Sequence, residues 1–326
     1  MLDYQGFIEN SKAYNIIKKD LECDRVSHAY LFVCKDKNLL YKFALETSKI
    51  LINENETVSH EKNILRIDKC VHPDVKMYGA DKNIDTETAN AIVDASNYSP
   101  FESDKKIFIL LGANEMNESA QNKILKTIEE PPKNTYFILC ANGTSKILQT
   151  ILSRVKQIEI DEMTADVIAD LLVKNGVQES KASVLAGCAN GNAEFAEKLA
   201  LDDDFIGFYN DIVNAFYEIN GSRDVLKYSN KFTQKNIDKD EFFNIALVLC
   251  RDALMILSGK TDFVINKAAM TKLKLVASML NAESLIELIR KCEEEKNKLQ
   301  ANVNSTAVID DFLFKLAEVK VKCRRL

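Results

Sequence analysis

One stretch, Lys105 to Val155, leaves little freedom in how the chain can fold. It reads strand, helix, Pro-Pro stop, strand, short helix, Ser-Arg. Ile107 to Leu111 is a continuous apolar run, the pattern of a parallel strand buried on both faces. Asn117 or Ser119 can cap the helix that follows, because a short polar side chain there accepts an otherwise orphaned N–H. Ala120, Ile124, Leu125 and Ile128 line one face of that helix. Pro131 and Pro132 end it, since a residue before proline is pushed out of the α region. Tyr136 to Ala141 is a second buried strand. Ile147, Leu148, Ile151 and Leu152 mark a short helix that delivers Arg154 at its C-terminal end.

The run AQNKILKTIEEPP, from Ala120 to Pro132, followed by TYFILC and ILQTILSRV, resembles the AAA+ module of clamp-loader subunits of bacterial DNA polymerase III. Val155 stands where that family usually has cysteine. The resemblance implies an α/β AAA+ module with a doubly wound parallel sheet and a helical lid, followed by an all-α collar domain. Ser27 to Phe32 is similar to the family's HAYLF strand, and Asn302-Val303-Asn304, with Val308, Ile309, Phe312, Leu313 and Leu316, to its final N-x-N helix.

An active member would carry G-x-x-x-x-G-K-[ST] after the first strand, so that backbone amides and lysine enclose the phosphates. The slot here reads Cys34-Lys35-Asp36-Lys37-Asn38-Leu39-Leu40-Tyr41. Leu39 takes the place of the last glycine, Leu40 of the lysine and Tyr41 of the hydroxyl that holds magnesium. Lys35 and Lys37 stay cationic on a loop without the φ > 0 freedom of glycine. A magnesium-holding acidic pair should end the next strand; Leu111-Gly112-Ala113-Asn114 stands there instead, and Glu115 is expected to favour the start of the following helix. The lid's Gly-x-x-Arg is Gly191-Asn192-Ala193-Glu194. The expectation is an AAA+ fold that neither binds nor hydrolyses ATP, with no cofactor. What the resemblance leaves as chemistry is Arg154, an arginine finger reaching the ATP site of a neighbouring subunit, with Ser153 positioning it. It further implies clamp-loader motor (gamma/tau) and delta subunits as partners, and the sliding clamp and primed DNA within the complex. Two other readings stay open: an active motor subunit, and an AAA+-derived scaffold of another assembly.

At 326 residues the chain is long enough for two or three domains. A net charge of −6 advertises no overall basic field for nucleic acid, so DNA contacts would be local or made through partners. No apolar run approaches a membrane span and the first residues lack a signal-peptide core, so a cytoplasmic location is expected. The eight cysteines include no C-x-x-C pair and read as reduced structural thiols. Cys70 alone cannot build a tetrahedral zinc site, with His60 and His72 more naturally a solvated and a turn histidine, so no metal is expected. His28 reads as a strand-edge histidine that hydrogen-bonds locally.

In chain order, residues 5–27 form an amphipathic lead-in helix and connector, His72 to Tyr78 a strand, and Ile84 to Asn97 a helix with Ile84, Ala91, Ile92 and Ala95 inward. Gln157 to Ile160 closes the sheet. The expected domains are 1–160 for the degenerate nucleotide-binding-type domain, 161–201 for a three-helix lid and 202–326 for the collar. In the lid, Thr164 caps a helix with Val167, Ile168, Leu171 and Leu172 inward, and Gly176 ends it. Phe242, Phe243, Ala246, Leu249, Ala253 and Leu254 mark one collar helix and Ser284 to Gln300 another. Lys320, Lys322, Arg324 and Arg325 read as a solvated basic tail.

Overall fold

The computed structural model describes residues 2–53, 60–80, 82–234, 239–301 and 303–324, so Asn302, Arg325 and the side chain of His60 lie outside the described set. The described chain divides into two compact units: residues 1–163 with Asn192–Glu194, and residues 164–191 with 195–326.

The first unit is built on five parallel strands, β1 (Ala29–Val33), β2 (Val75–Tyr78), β3 (Lys106–Leu111), β4 (Thr135–Ala141) and β5 (Lys156–Glu159), in the order β2-β3-β4-β1-β5. Its helices are α1 (Gln5–Asn10), α2 (Lys12–Glu22), α3 (Lys37–Ile52), α4 (His60–Asp68), α5 (Thr86–Ser96), α6 (Glu118–Glu129) and the short α7 (Gln149–Leu152). Alternate residues of the central strands feed opposite faces, as the two-residue pleat demands. Leu31, Phe108, Leu110, Phe137 and Leu139 share one core with Ile92 of α5, Ala120, Ile124 and Ile128 of α6 and Ile151 of α7. Phe108 and Phe137 are cross-strand neighbours with stacked rings 5.3 Å apart. On the other face Phe32 meets Phe43 of α3 edge-on at 4.7 Å, and Phe43 meets Tyr14 of α2 at 6.3 Å. The doubly wound α/β sheet expected from the sequence is the one formed.

Local differences have local causes. The lead-in is two helices, because Ser11 is extended and its hydroxyl caps α2 through the Tyr14 N–H. In α5 the inward face is Ala89, Ile92 and Ser96, while Ala91 is exposed and Ala95 only half-buried; Ile84 is buried but precedes the helix. The 3.6-residue period started from Ala89 carries Ala91 to the solvent side. β2 begins only at Val75, because the preceding Asp74 carboxylate is buried and accepts the N–H groups of Phe101, Glu102 and Ser103 at 2.6–3.0 Å.

The second unit is helical throughout its described residues: α8 (Ala165–Lys174), α9 (Glu179–Cys188), most of α10 (Ala193–Ala200), α11 (Phe205–Glu218), α12 (Ser222–Gln234), α13 (Lys239–Leu257), α14 (Met270–Met279), α15 (Ala282–Gln300) and α16 (Ser305–Arg324). Thr164 caps α8 through the Val167 N–H. Gly176 follows it at φ 88, and Val177 N–H returns to the Leu172 carbonyl, the closing bond of a Schellman turn. α9 packs on α13, which also contacts α11, α14 and α15; α16 packs on α12 and α15. Phe242 and Phe243 meet Phe312 edge-on at 5.8 and 5.7 Å, so the last helix locks onto the middle one.

The described C-terminal basic residues do not form a solvated tail. Lys320 is 1% exposed, and its ammonium donates to the carbonyls of Tyr217 and Ile219 at 3.0 and 2.9 Å, satisfying groups orphaned at the end of α11. Arg324 donates to the Asn220 side chain and Lys322 pairs with Glu318, so those charges belong to helix–helix and i,i+4 contacts.

Candidate functional site

The crevice at the carboxyl ends of a parallel sheet is where such folds place a ligand. Here it is a cavity of about 380 Å³ lined by residues from the C-terminal ends of β2, β3 and β4 and the start of α3. Its chemistry follows from the slot residues. Asp36 caps α3, with Oδ1 accepting from Leu39 N–H at 2.9 Å. Leu39 and Leu40 are 1% and 4% exposed and pack as core side chains. The Tyr41 hydroxyl lies 3.3 Å from Cys70 Sγ. Lys35 pairs with Glu162 at 2.7 Å and Lys37 with Glu115 at 3.1 Å.

At the end of β3, Gly112 sits at φ 68 and opens a 3-10 turn over Ala113–Glu115. Glu115 lies in that turn, before the next helix; its carboxylate turns to Lys37, and α6 begins at Glu118 with Asn117 as its cap. Asn114 and Asn142 bridge β3 and β4 through two hydrogen bonds, of 2.7 and 3.1 Å. Gly79, at the end of β2, has φ +89, and a Cβ there would lie 2.1 Å from the Leu111 carbonyl oxygen.

Arg154 lies on a turn just past α7, and α6 holds that turn in place. Gln121, 2% exposed, donates to the Met116 and Lys146 carbonyls and accepts from Leu148 N–H at 2.8 Å. The Arg154 guanidinium donates through Nη1 to the Thr150 carbonyl at 2.9 Å and the Ser153 hydroxyl at 3.2 Å. Its Nη2 meets Glu129 Oε1 at 2.8 Å, with the arginine side chain 33% exposed. Ser153 Oγ is itself anchored to the Thr150 carbonyl at 3.0 Å. Neither Gln121 nor Glu129 was singled out from the sequence, because each acts on a residue about 25 positions away, beyond any helical or strand spacing.

Burial pushes the Cys34 thiol up to about 11, and the thiols of Cys140 and Cys188 well above the ordinary range. All eight cysteines are free thiols. His72 is 3% exposed; its Nδ1 accepts from Asp74 N–H at 3.2 Å and its Nε2 lies 3.5 Å from Glu102. Among the described residues no three His, Cys, Asp or Glu side chains gather as a metal site would require, and no helix is long and apolar enough to cross a membrane.

The sequence profile of the family described as "DNA polymerase III, delta subunit" matches residues 9–164, and that described as "DNA polymerase III, delta subunit, C terminal" matches residues 205–318. DNA polymerase III subunit delta' of Bacillus subtilis (strain 168) is 26% identical over 317 residues, 94% of this chain and 96% of that protein. Subunit tau of the same organism is 30% identical over 146 residues, 43% of this chain and 26% of tau. A solved gamma subunit-related protein from Thermotoga maritima aligns over 93% of this chain and 99% of its own, at 18% identity and a TM-score of 0.43. With profiles matching residues 9–164 and 205–318 and nearly its whole length aligned to a delta' subunit, the chain is a delta-prime-like clamp-loader subunit of DNA polymerase III.

Proposed function

We propose that this chain is a non-hydrolysing ring member of a clamp loader, one that assembles with gamma/tau-type motor subunits and a delta subunit to set a sliding clamp on primed DNA. The slot carries this reading. Leu40, buried at 4% exposure where a phosphate-binding lysine would stand, offers no charge, and Leu111-Gly112 offers no carboxylate for magnesium. The chain's own chemical part is then Arg154, positioned by Ser153 and presented to a neighbour's ATP site. Its domains would divide by role: residues 1–160 as the degenerate nucleotide-binding-type part, 161–201 as the lid and 202–326 as the collar that holds subunits together. A ring member of this kind works in the cytoplasm, beside the DNA. The test is calorimetric titration of the purified protein with Mg-ATP. No binding heat is expected at micromolar concentrations; saturable micromolar binding would return the chain to the motor-subunit reading.

A further inference from the structure

The three residues Asn192–Glu194 group with the first unit although the chain on both sides groups with the second. Three hydrogen bonds account for that. Lys37 N–H, at the first helical position of α3, donates to Glu194 Oε2 at 3.0 Å. Glu194 N–H donates in return to Asp36 Oδ2 at 3.0 Å. The Asn192 side chain reaches the Lys35 carbonyl at 3.5 Å.

The first N–H groups of a helix have no partner inside it and sit at the positive end of its dipole. That is why phosphates bind at helix N-termini. Here the N-terminus of α3 is already served by carboxylates: Leu39 N–H by Asp36 Oδ1, Lys37 N–H by Glu194. The Lys37 ammonium is turned to Glu115. Two carboxylates therefore stand where an incoming polyphosphate would have to place its own charge.

We propose that the Glu194 carboxylate is an internal anion that takes the place of a phosphate at the N-terminus of α3 and so holds Asn192–Glu194 to the first unit without nucleotide. This rests on the reading above that the slot takes no ATP, and goes beyond it by naming what occupies the phosphate's position. Carboxylate and phosphate oxygens accept from backbone N–H groups in the same way, so removal of one leaves a place for the other.

The experiment compares full-length wild type, Glu194→Ala and Glu194→Gln by amide hydrogen exchange over residues 34–41, each with and without sodium pyrophosphate. A lost charge-assisted hydrogen bond predicts about tenfold faster exchange at Lys37 in the Ala variant. Pyrophosphate should restore protection in that variant and leave wild type unchanged. The Gln variant, which keeps an acceptor oxygen but no charge, should fall between. Unchanged exchange at Lys37 in Glu194→Ala overturns the proposal, as does failure of pyrophosphate to protect it. Calorimetric binding of ATP to wild type would instead strike the functional reading, while the nucleotide-free exchange data would still decide the role of Glu194.

Discussion

A guanidinium has five N–H donors in a fixed fork. At Arg154, Thr150, Ser153 and Glu129 engage three, leaving Nε–H and one Nη2–H unengaged among the described residues. A fork with free donors can still meet phosphate oxygens. If Arg154 acts as proposed, Arg154→Ala is expected to lower the ATPase rate of a reconstituted loader at the neighbouring site, where such fingers are worth roughly 10³ to 10⁵. Folding and assembly should be nearly unaffected, since a half-exposed ion pair adds about 0–1 kcal/mol. Lysine, a point charge without the fork, should rescue poorly. Glu129→Ala should lower the rate as well, and add little in an Arg154→Ala background, because it acts through that side chain. Wild-type rates in a complex of normal composition would reduce Arg154 to a surface charge. Lys320 offers a second test by its pH response. Burial and the nearby Arg324 push its ammonium down to about 8, from 10.5. Between those values the unfolded chain holds a proton that the folded one has released, so stability rises with pH, by up to about 1.4 kcal/mol per unit. Below pH 8 both states are protonated and the burial cost is fully present. Urea unfolding from pH 8 to 10 should show that slope in wild type and lose it in Lys320→Met; equal slopes would show that Lys320 does not titrate there.

At the scale of elements, the end of β2 is held to β3 by a contact that only glycine permits. Gly79→Ala places a methyl 2.1 Å from the Leu111 carbonyl oxygen at φ +89. The backbone conformation alone costs about 1–3 kcal/mol, and relief requires β2 and β3 to part. Thermal unfolding should show a clear loss of stability, whereas Gly143→Ala, with nothing within 4 Å of the new methyl, should unfold like wild type. Elements of this kind were readable unevenly. α6 was legible because its apolar spacing, its cap and its Pro-Pro stop are all local signals, and they agree. α5 was found but turned wrongly at Ala91, because a helix of alanines and polar residues gives its buried face little contrast. The residues of the slot proposed to lack a phosphate-binding lysine and magnesium carboxylates were legible as identities. What fills their place was not: the pairing of Glu194 with Lys37 spans 157 positions and depends on the fold already being made. Lys320 looked like a tail charge for the same reason, since the α11 carbonyls that hold its ammonium lie about 100 residues earlier.

For the whole molecule, the proposed collar invites a test by point substitution rather than by truncation. Cutting after residue 201 would strip α9 of its packing on α13 and expose the core they share. Ile286 on α15 and Phe314 on α16 are 42% and 44% exposed, large apolar side chains on helices otherwise rich in charge. Ile286→Asp with Phe314→Asp is expected to leave the unfolding free energy of the isolated chain within about 1 kcal/mol of wild type. The same pair should abolish co-assembly with motor and delta subunits, read out by native mass; retained assembly would place the contact elsewhere. The strand order carries one more consequence, in time rather than in space. β1 is drawn from the beginning of the sheet's sequence yet lies inside it, hydrogen-bonded only to β4 and β5, with Leu31 opposite Leu139 on one side and Gln157 on the other. As the chain leaves the ribosome N-terminus first, at about 5–20 residues per second, that apolar strand waits several seconds for both neighbours. During the wait AYLFV lacks the two strands that bury it in the folded sheet. Synthesis of this subunit thus has a vulnerable interval, which closes when β5 emerges, and any factor that shields nascent apolar strands would act on it in that interval.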